Sequence, residues 1–152
     1  MKMNKTSRIL IAGADNLTGK ALVELLHGQG YSRVSTEIDT PTDLAVAGAV
    51  ATLFKKVSPE FVFLVGGLAG GIELNRKQPA TLMLNNLSVQ TNVIEAAHRA
   101  GVRKLLYLAS SCCYPRDCPQ PMKPEHLMPG PLEPTNEAYA TAKIAGIKLC
   151  QA

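Results

Sequence analysis

An apolar run, Ile9-Leu10-Ile11-Ala12, ends on Gly13, and a second glycine, Gly19, stands near the head of a segment with apolar residues at helical spacing. A short continuous apolar run bounded by glycine reads as a strand buried on both faces, and the periodic segment after it reads as a helix. Strand, glycine turn and helix in that order point to a parallel α/β sheet. Gly13 permits the tight turn, Gly19 permits close helix packing, and the free amides at the helix start suit a pyrophosphate. Between them Asn16 and Leu17 occupy the turn, with Asn16 where such a turn commonly has its central glycine. Asparagine tolerates left-handed backbone better than most residues, so a left-handed Asn16 is expected. A plain strand-to-helix turn with no ligand satisfies the same residues.

The rest of the chain alternates in the same way. Strands are expected at 9–13, 33–37, 60–65 and 104–109, and helices at 17–27, 44–56, 80–100 and from 136 to the end. Strands separated by helices imply right-handed crossovers and a doubly wound parallel sheet covered on both faces, a Rossmann fold. With 152 residues and 46% hydrophobic content, one domain over 1–152 is expected. The stretch 114–134 holds seven of the ten prolines and reads as a stiff, extended loop. It is either a linker or a loop over the site, because ligands of open parallel sheets bind outside the carboxyl ends of the strands.

The net charge of +4 does not indicate nucleic-acid binding. Its basic doublets, Lys55-Lys56, Arg76-Lys77 and Arg103-Lys104, fall in separate elements without interleaved aromatics. No apolar stretch approaches the ~20 residues that span a membrane, and the run after the N-terminal lysines is too short for a secretory signal. Four cysteines in a chain of this length do not make a disulfide scaffold, and Cys112, Cys113, Cys118 and His126 match no zinc spacing. A cytoplasmic protein without a metal is expected.

Ser110-Ser111-Cys112 lies at the end of the fourth strand, and Tyr139-x-x-x-Lys143 follows on a helix. Residues four apart share a helix face, which puts the Lys143 ammonium beside the Tyr139 phenol. A nearby cation is expected to lower the phenol from its usual pKa of ~10, which suits a group that protonates a ketone as hydride arrives. A serine hydroxyl from the strand end would hold the same carbonyl oxygen. Two such residues on an exposed helix face are also compatible with simple solvation.

The glycine turn, the run Leu-Ala-Ser-Ser-Cys-Cys-Tyr-Pro (108–115), the run Leu-Glu-Pro-Thr-Asn-Glu-Ala-Tyr (132–139) and the run Ala-Lys-Ile-Ala-Gly-Ile-Lys-Leu-Cys (142–150) resemble the extended short-chain dehydrogenase/reductases of the GDP-L-fucose synthase type. The resemblance covers essentially the whole chain. It implies epimerisation of GDP-4-keto-6-deoxy-mannose at C3 and C5, then reduction at C4 with NADPH. Carried over by position, Ser110 would bind the C4 carbonyl and Tyr139 would donate the proton. Lys143 would hold the ribose and tune Tyr139, and Cys112 would exchange protons at the epimerised carbons. Asn86 resembles an asparagine that organises the site.

The family's catalytic histidine would lie beyond Ala152, since His27, His98 and His126 fall outside its motif. The chain therefore reads as the front part of a longer enzyme, inactive alone and ending before the substrate domain. Basic residues used around the adenosine 2′-phosphate are replaced, with Asp15 in the turn and Glu37 at the end of the second strand. An acid at that second position usually accepts from a free ribose hydroxyl, so NADP is expected from the resemblance, with NAD possible. Asp43-Leu44 resembles a pair that contacts adenine, while Asp43 also reads as the N-cap of the next helix. Gly66, within the glycine-rich run 65–71, would allow close backbone approach to cofactor and sugar, or would mark a flexible loop. The resemblance implies that the helices 80–100 and 136 onward pair across a two-fold axis, so a homodimer is expected. Another nucleotide-sugar epimerase or dehydratase, or a non-catalytic dinucleotide-binding module, remains open on the sequence.

Overall fold

The computed structural model describes residues 2–152. In chain order the elements are β1 (Ile9–Ala12), α1 (Leu17–Gly28), β2 (Val34–Thr36), α2 (Ala47–Val57), β3 (Phe61–Leu64), α3 (Ile72–Lys77), α4 (Pro79–Arg99), β4 (Lys104–Tyr107) and α5 (Glu137–Gln151). Single 3-10 turns lie at Ser111–Cys113 and Pro124–His126. The chain separates into two compact units, one holding the chain up to Gly67 together with Ser88–Leu108, the other holding Leu68–Leu87 and Ala109–Ala152.

The first unit contains the sheet, ordered β2-β1-β3-β4. All three pairings are parallel, with Ile9 opposite Val34 on one side and Phe61 on the other, and Phe61 opposite Lys104. Alternation along the strands sorts the side chains. Leu10, Ala12, Val62 and Leu64 face α2 (Val50, Leu53, Phe54) and the later turns of α4 (Val89, Val93, Ile94, Ala97). Ile9, Ile11 and Phe61 face the other way, onto Leu26 and the partly buried Leu22 and Val23 of α1. Both faces of β1 are thus closed, which is why its residues form an unbroken apolar run. Each fully buried Val, Leu, Ile or Phe among them contributes roughly 1.5–3 kcal/mol by leaving water. The chain leaves β1 for β2 on one side and returns to β3 on the other, so the switch point lies beyond the carboxyl ends of β1 and β3.

Helix α2 begins three residues later than its periodicity suggests. Asp43 does not cap it: the carboxylate accepts the Ala45 N–H at 2.9 Å and the carbonyl accepts the Val46 N–H, closing a separate turn. The helix instead starts after Val46, which offers no side-chain cap.

The second unit has a different interior. Its buried apolar residues include Leu82, Cys113, Pro115, Ala140 and Ala142, and Asn75, Asn86 and Lys143 are also buried. Asn86 donates to the carbonyls of Leu68 (2.7 Å) and Leu82 (2.8 Å), and Asn85 accepts the Leu68 N–H at 2.9 Å. Asn75 donates to Gly70 and Gly71 at 3.0 and 3.1 Å. The stretch 68–71 is therefore tied down at both ends by asparagines. Helix α3 was not expected from the sequence, although its Glu73–Lys77 pair has the i,i+4 spacing of a helix.

The proline-rich stretch also differs from the expected extended loop. The Arg116 N–H donates to the Pro131 carbonyl at 2.9 Å and the Arg116 guanidinium meets Glu133 at 3.5 Å, so the loop doubles back on itself.

Candidate functional site

At the switch point, Gly13 has φ 105°, a conformation that favours glycine, and a Cβ there would overlap the backbone of Gly66. A Cβ on Gly19 would overlap the carbonyl of Gly13. These glycines bring three backbone segments together around the first turn of α1, forming a cradle of bare backbone at the switch point. Gly66 N–H and Val65 N–H both donate to the Ala12 carbonyl at 2.8 Å, which fixes the approach of the segment after β3.

Asn16 departs from expectation. It is extended (φ −88°, ψ 170°) rather than left-handed, because Gly13 takes the positive φ. Asn16 serves instead as the N-cap of α1: its Oδ1 accepts the Gly19 N–H at 2.8 Å and its Nδ2 donates to the Val65 carbonyl at 2.8 Å. One side chain thus caps the helix and fastens the turn to the chain after β3. Leu17 is 87% exposed at the head of the helix. Leu44 is partly buried against the core, and its carbonyl accepts from Asn92 at 3.1 Å.

Glu37 is 8% exposed, and its Oε1 accepts the Ala14 N–H of the glycine turn at 2.7 Å. Its Oε2 is buried without a partner. A buried carboxylate oxygen is costly unless a donor reaches it. A ribose hydroxyl matches that requirement, while a phosphate brings like charge to it. A glycine turn at the head of a helix fits the pyrophosphate of a dinucleotide, and the unpartnered Glu37 oxygen fits a hydroxyl donor.

In the second unit, Ser110 ends the extended chain after β4 and caps the 3-10 turn, its Oγ accepting the Cys112 N–H at 3.2 Å. That turn carries Cys112, half-buried, and Cys113, fully buried with its sulfur 4.0 Å from the Ala140 carbonyl. Tyr139 and Lys143 share a face of α5, with Nζ 5.9 Å from the ring centroid. Asn136, just ahead of α5, donates from Nδ2 to the Cys112 sulfur at 3.4 Å. Sequence reasoning passed over Asn136, although it stands within the run 132–139 that carries the resemblance.

The charges in this unit correct one expectation. Burial raises the Tyr139 phenol above its ordinary value, a hydrogen bond with Ser110 pulls it back down, and the Cys112 and Cys113 sulfurs push it up. The Lys143 value is lowered by burial, with Cys113 opposing, because an ammonium 6% exposed has lost its water. Burial likewise pushes the Cys113 thiol up. A phenol with a raised pKa keeps its proton at neutral pH, the form a donor requires.

A parallel sheet with a glycine cradle at its switch point defines a Rossmann-type nucleotide-binding protein. The chain belongs to the NAD dependent epimerase/dehydratase family, whose model matches residues 9–152. It is 44% identical over 149 residues to GDP-L-fucose synthase 1 of Arabidopsis thaliana, covering 98% of this chain and 46% of that protein. The GDP-L-fucose synthase of Escherichia coli is 40% identical over 144 residues, 95% of this chain and 45% of that one. Among solved structures, a GDP-D-glycero-L-gluco-heptose synthase of Campylobacter jejuni, determined in the presence of NADPH, superposes with a TM-score of 0.93 at 37% identity, over 99% of this chain and 44% of its own. The chain spans a little under half the length of the curated relatives it matches. Among the described residues no helix is long and apolar enough to cross a membrane.

Proposed function

We propose that this chain supplies the dinucleotide-binding and proton-handling part of a GDP-L-fucose synthase-type epimerase-reductase that acts on GDP-4-keto-6-deoxy-mannose. The observation that carries the reading is the grouping of Ser110, Cys112, Tyr139 and Lys143 on one 3-10 turn and one helix face, in a chain 40–44% identical to GDP-L-fucose synthases.

The cofactor in this reading is NADP, as for the Campylobacter neighbour, with the Gly13, Gly19 and Gly66 cradle for its pyrophosphate. Asn16 holds the turn, Leu17, Asp43 and Leu44 flank the adenosine, and Lys143 holds a ribose hydroxyl. When bound, the dinucleotide supplies the hydride for C4. Cys112 trades protons with carbons next to the ketone, whose C–H bonds the carbonyl acidifies. Ser110 donates to the C4 oxygen and Tyr139 gives it a proton. A homodimer belongs to the same reading, supported by Leu84 of α4 and Leu149 of α5, 65% and 41% exposed. A lone monomer at all concentrations in sedimentation velocity would remove that part.

The test joins this chain to the remaining half of the Arabidopsis relative and separates the two chemistries. Tyr139→Phe is expected to abolish C4 reduction and leave solvent deuterium exchange at C3 and C5. Cys112→Ser is expected to abolish the exchange. Equal loss of both activities in both variants overturns the division of roles, and no activity in the unaltered fusion favours a binding module.

A further inference from the structure

We infer that Asn136 is the positioning residue for the Cys112 sulfur, a role that rests on the proton-exchange reading of Cys112. Three observations carry it. Asn136 occupies the position before α5 where asparagine ordinarily caps, yet its side chain makes no cap hydrogen bond. Its Nδ2 donates instead to the Cys112 sulfur, 24 residues away in sequence. Its Oδ1 is buried with no partner, so the amide forgoes one hydrogen bond that a cap would have supplied. The reverse orientation would put two N–H donors where that oxygen now stands unpaired.

The chemistry asks for such a donor. When the thiol protonates an enolate carbon, the S–H bond breaks, a C–H bond forms and the electron pair stays on sulfur; exchange with water restores the thiol. An N–H aimed at sulfur meets the negative charge that the step leaves there. Asn136 also borders an open cavity of about 470 Å³ with Asn75, Arg76 and Pro79.

The chain as it stands suffices for a test that needs no substrate. Alkylation by iodoacetamide at pH 7 is followed peptide by peptide by mass spectrometry, with fragment ions separating Cys112 from Cys113 and Cys118 as internal reference. Asn136→Asp keeps the shape and replaces the donor by a carboxylate that repels an anionic sulfur. Asn136→Leu removes the polar group. Cys112 is expected to react at least fivefold more slowly in Asn136→Asp and severalfold more slowly in Asn136→Leu, with Cys118 unchanged. An unchanged rate in Asn136→Asp, or a faster one in Asn136→Leu because the side chain merely covers the sulfur, overturns the inference. Neither result bears on whether Cys112 performs the exchange, which the Cys112→Ser variant of the fusion reads separately.

Discussion

The two units of this chain are built on different terms. In the first, strands and helices close an apolar core on both faces of the sheet, and the turn at the switch point is made by omission, with glycines where a side chain would collide. In the second, the interior holds asparagines, a lysine and cysteines among a few small apolar residues. A cradle of bare backbone follows from packing and stabilises the fold that forms it. A buried lysine and a half-buried phenol are costs that packing elsewhere must offset, a common condition of groups that do chemistry.

The largest expected effect breaks the first side of this contrast. Gly13→Ala combines a forbidden φ with overlap on Gly66 and is expected to lower stability by about 2–5 kcal/mol in urea unfolding. Gly48→Ala, on α2 with open space around it, is the control and is expected to stabilise by about 0.5–1 kcal/mol. Similar losses in both variants would mean that the turn is not packed as described.

Lys143→Met sharpens the second side. Removing an ammonium that burial disfavours is expected to raise stability by about 0.5–2 kcal/mol at neutral pH. The sign follows from linkage. The folded lysine has a lowered pKa, so its penalty is full below that value, fades as pH rises through it, and vanishes above the unfolded value near 10.5. The advantage of the variant is therefore largest at neutral pH and closes in alkaline solution. Burial raises Cys113 and Tyr139, whose contributions are lost as pH rises past their folded values in both proteins. Melting curves of the two proteins from pH 7 to 10.5 check this, and a less stable variant at pH 7 refutes it.

The smallest effect concerns the adenosine end of the cradle. Glu37→Gln retains an acceptor for the Ala14 N–H and loses the charge, so calorimetry is expected to show NADPH tightening severalfold relative to NADH. An unchanged ratio would remove Glu37 from the discrimination between them.

Much of the architecture was legible in the sequence because it depends on short-range pattern. The run 9–12 announced a strand buried on both faces, and Gly13 and Gly19 announced a turn that side chains would block. The four strands and four of the five helices followed from periodicity, and Tyr139 and Lys143 from helical spacing. Helix α3 was missed because six residues hold too little pattern, and Asn75 anchors it through contacts that spacing does not reveal.

The sequence by itself determined the order of elements and the residue types able to do chemistry, since apolar period and glycine placement act through local sterics. Tertiary structure decided what each polar side chain meets. It made Asn16 a cap instead of a left-handed turn residue, Asp43 a turn closure instead of a helix cap, and Asn136 a partner of Cys112. It also reversed the direction expected for Tyr139, because dehydration of phenol and ammonium is set by everything packed around them, whereas helical spacing reports only that the two share a face.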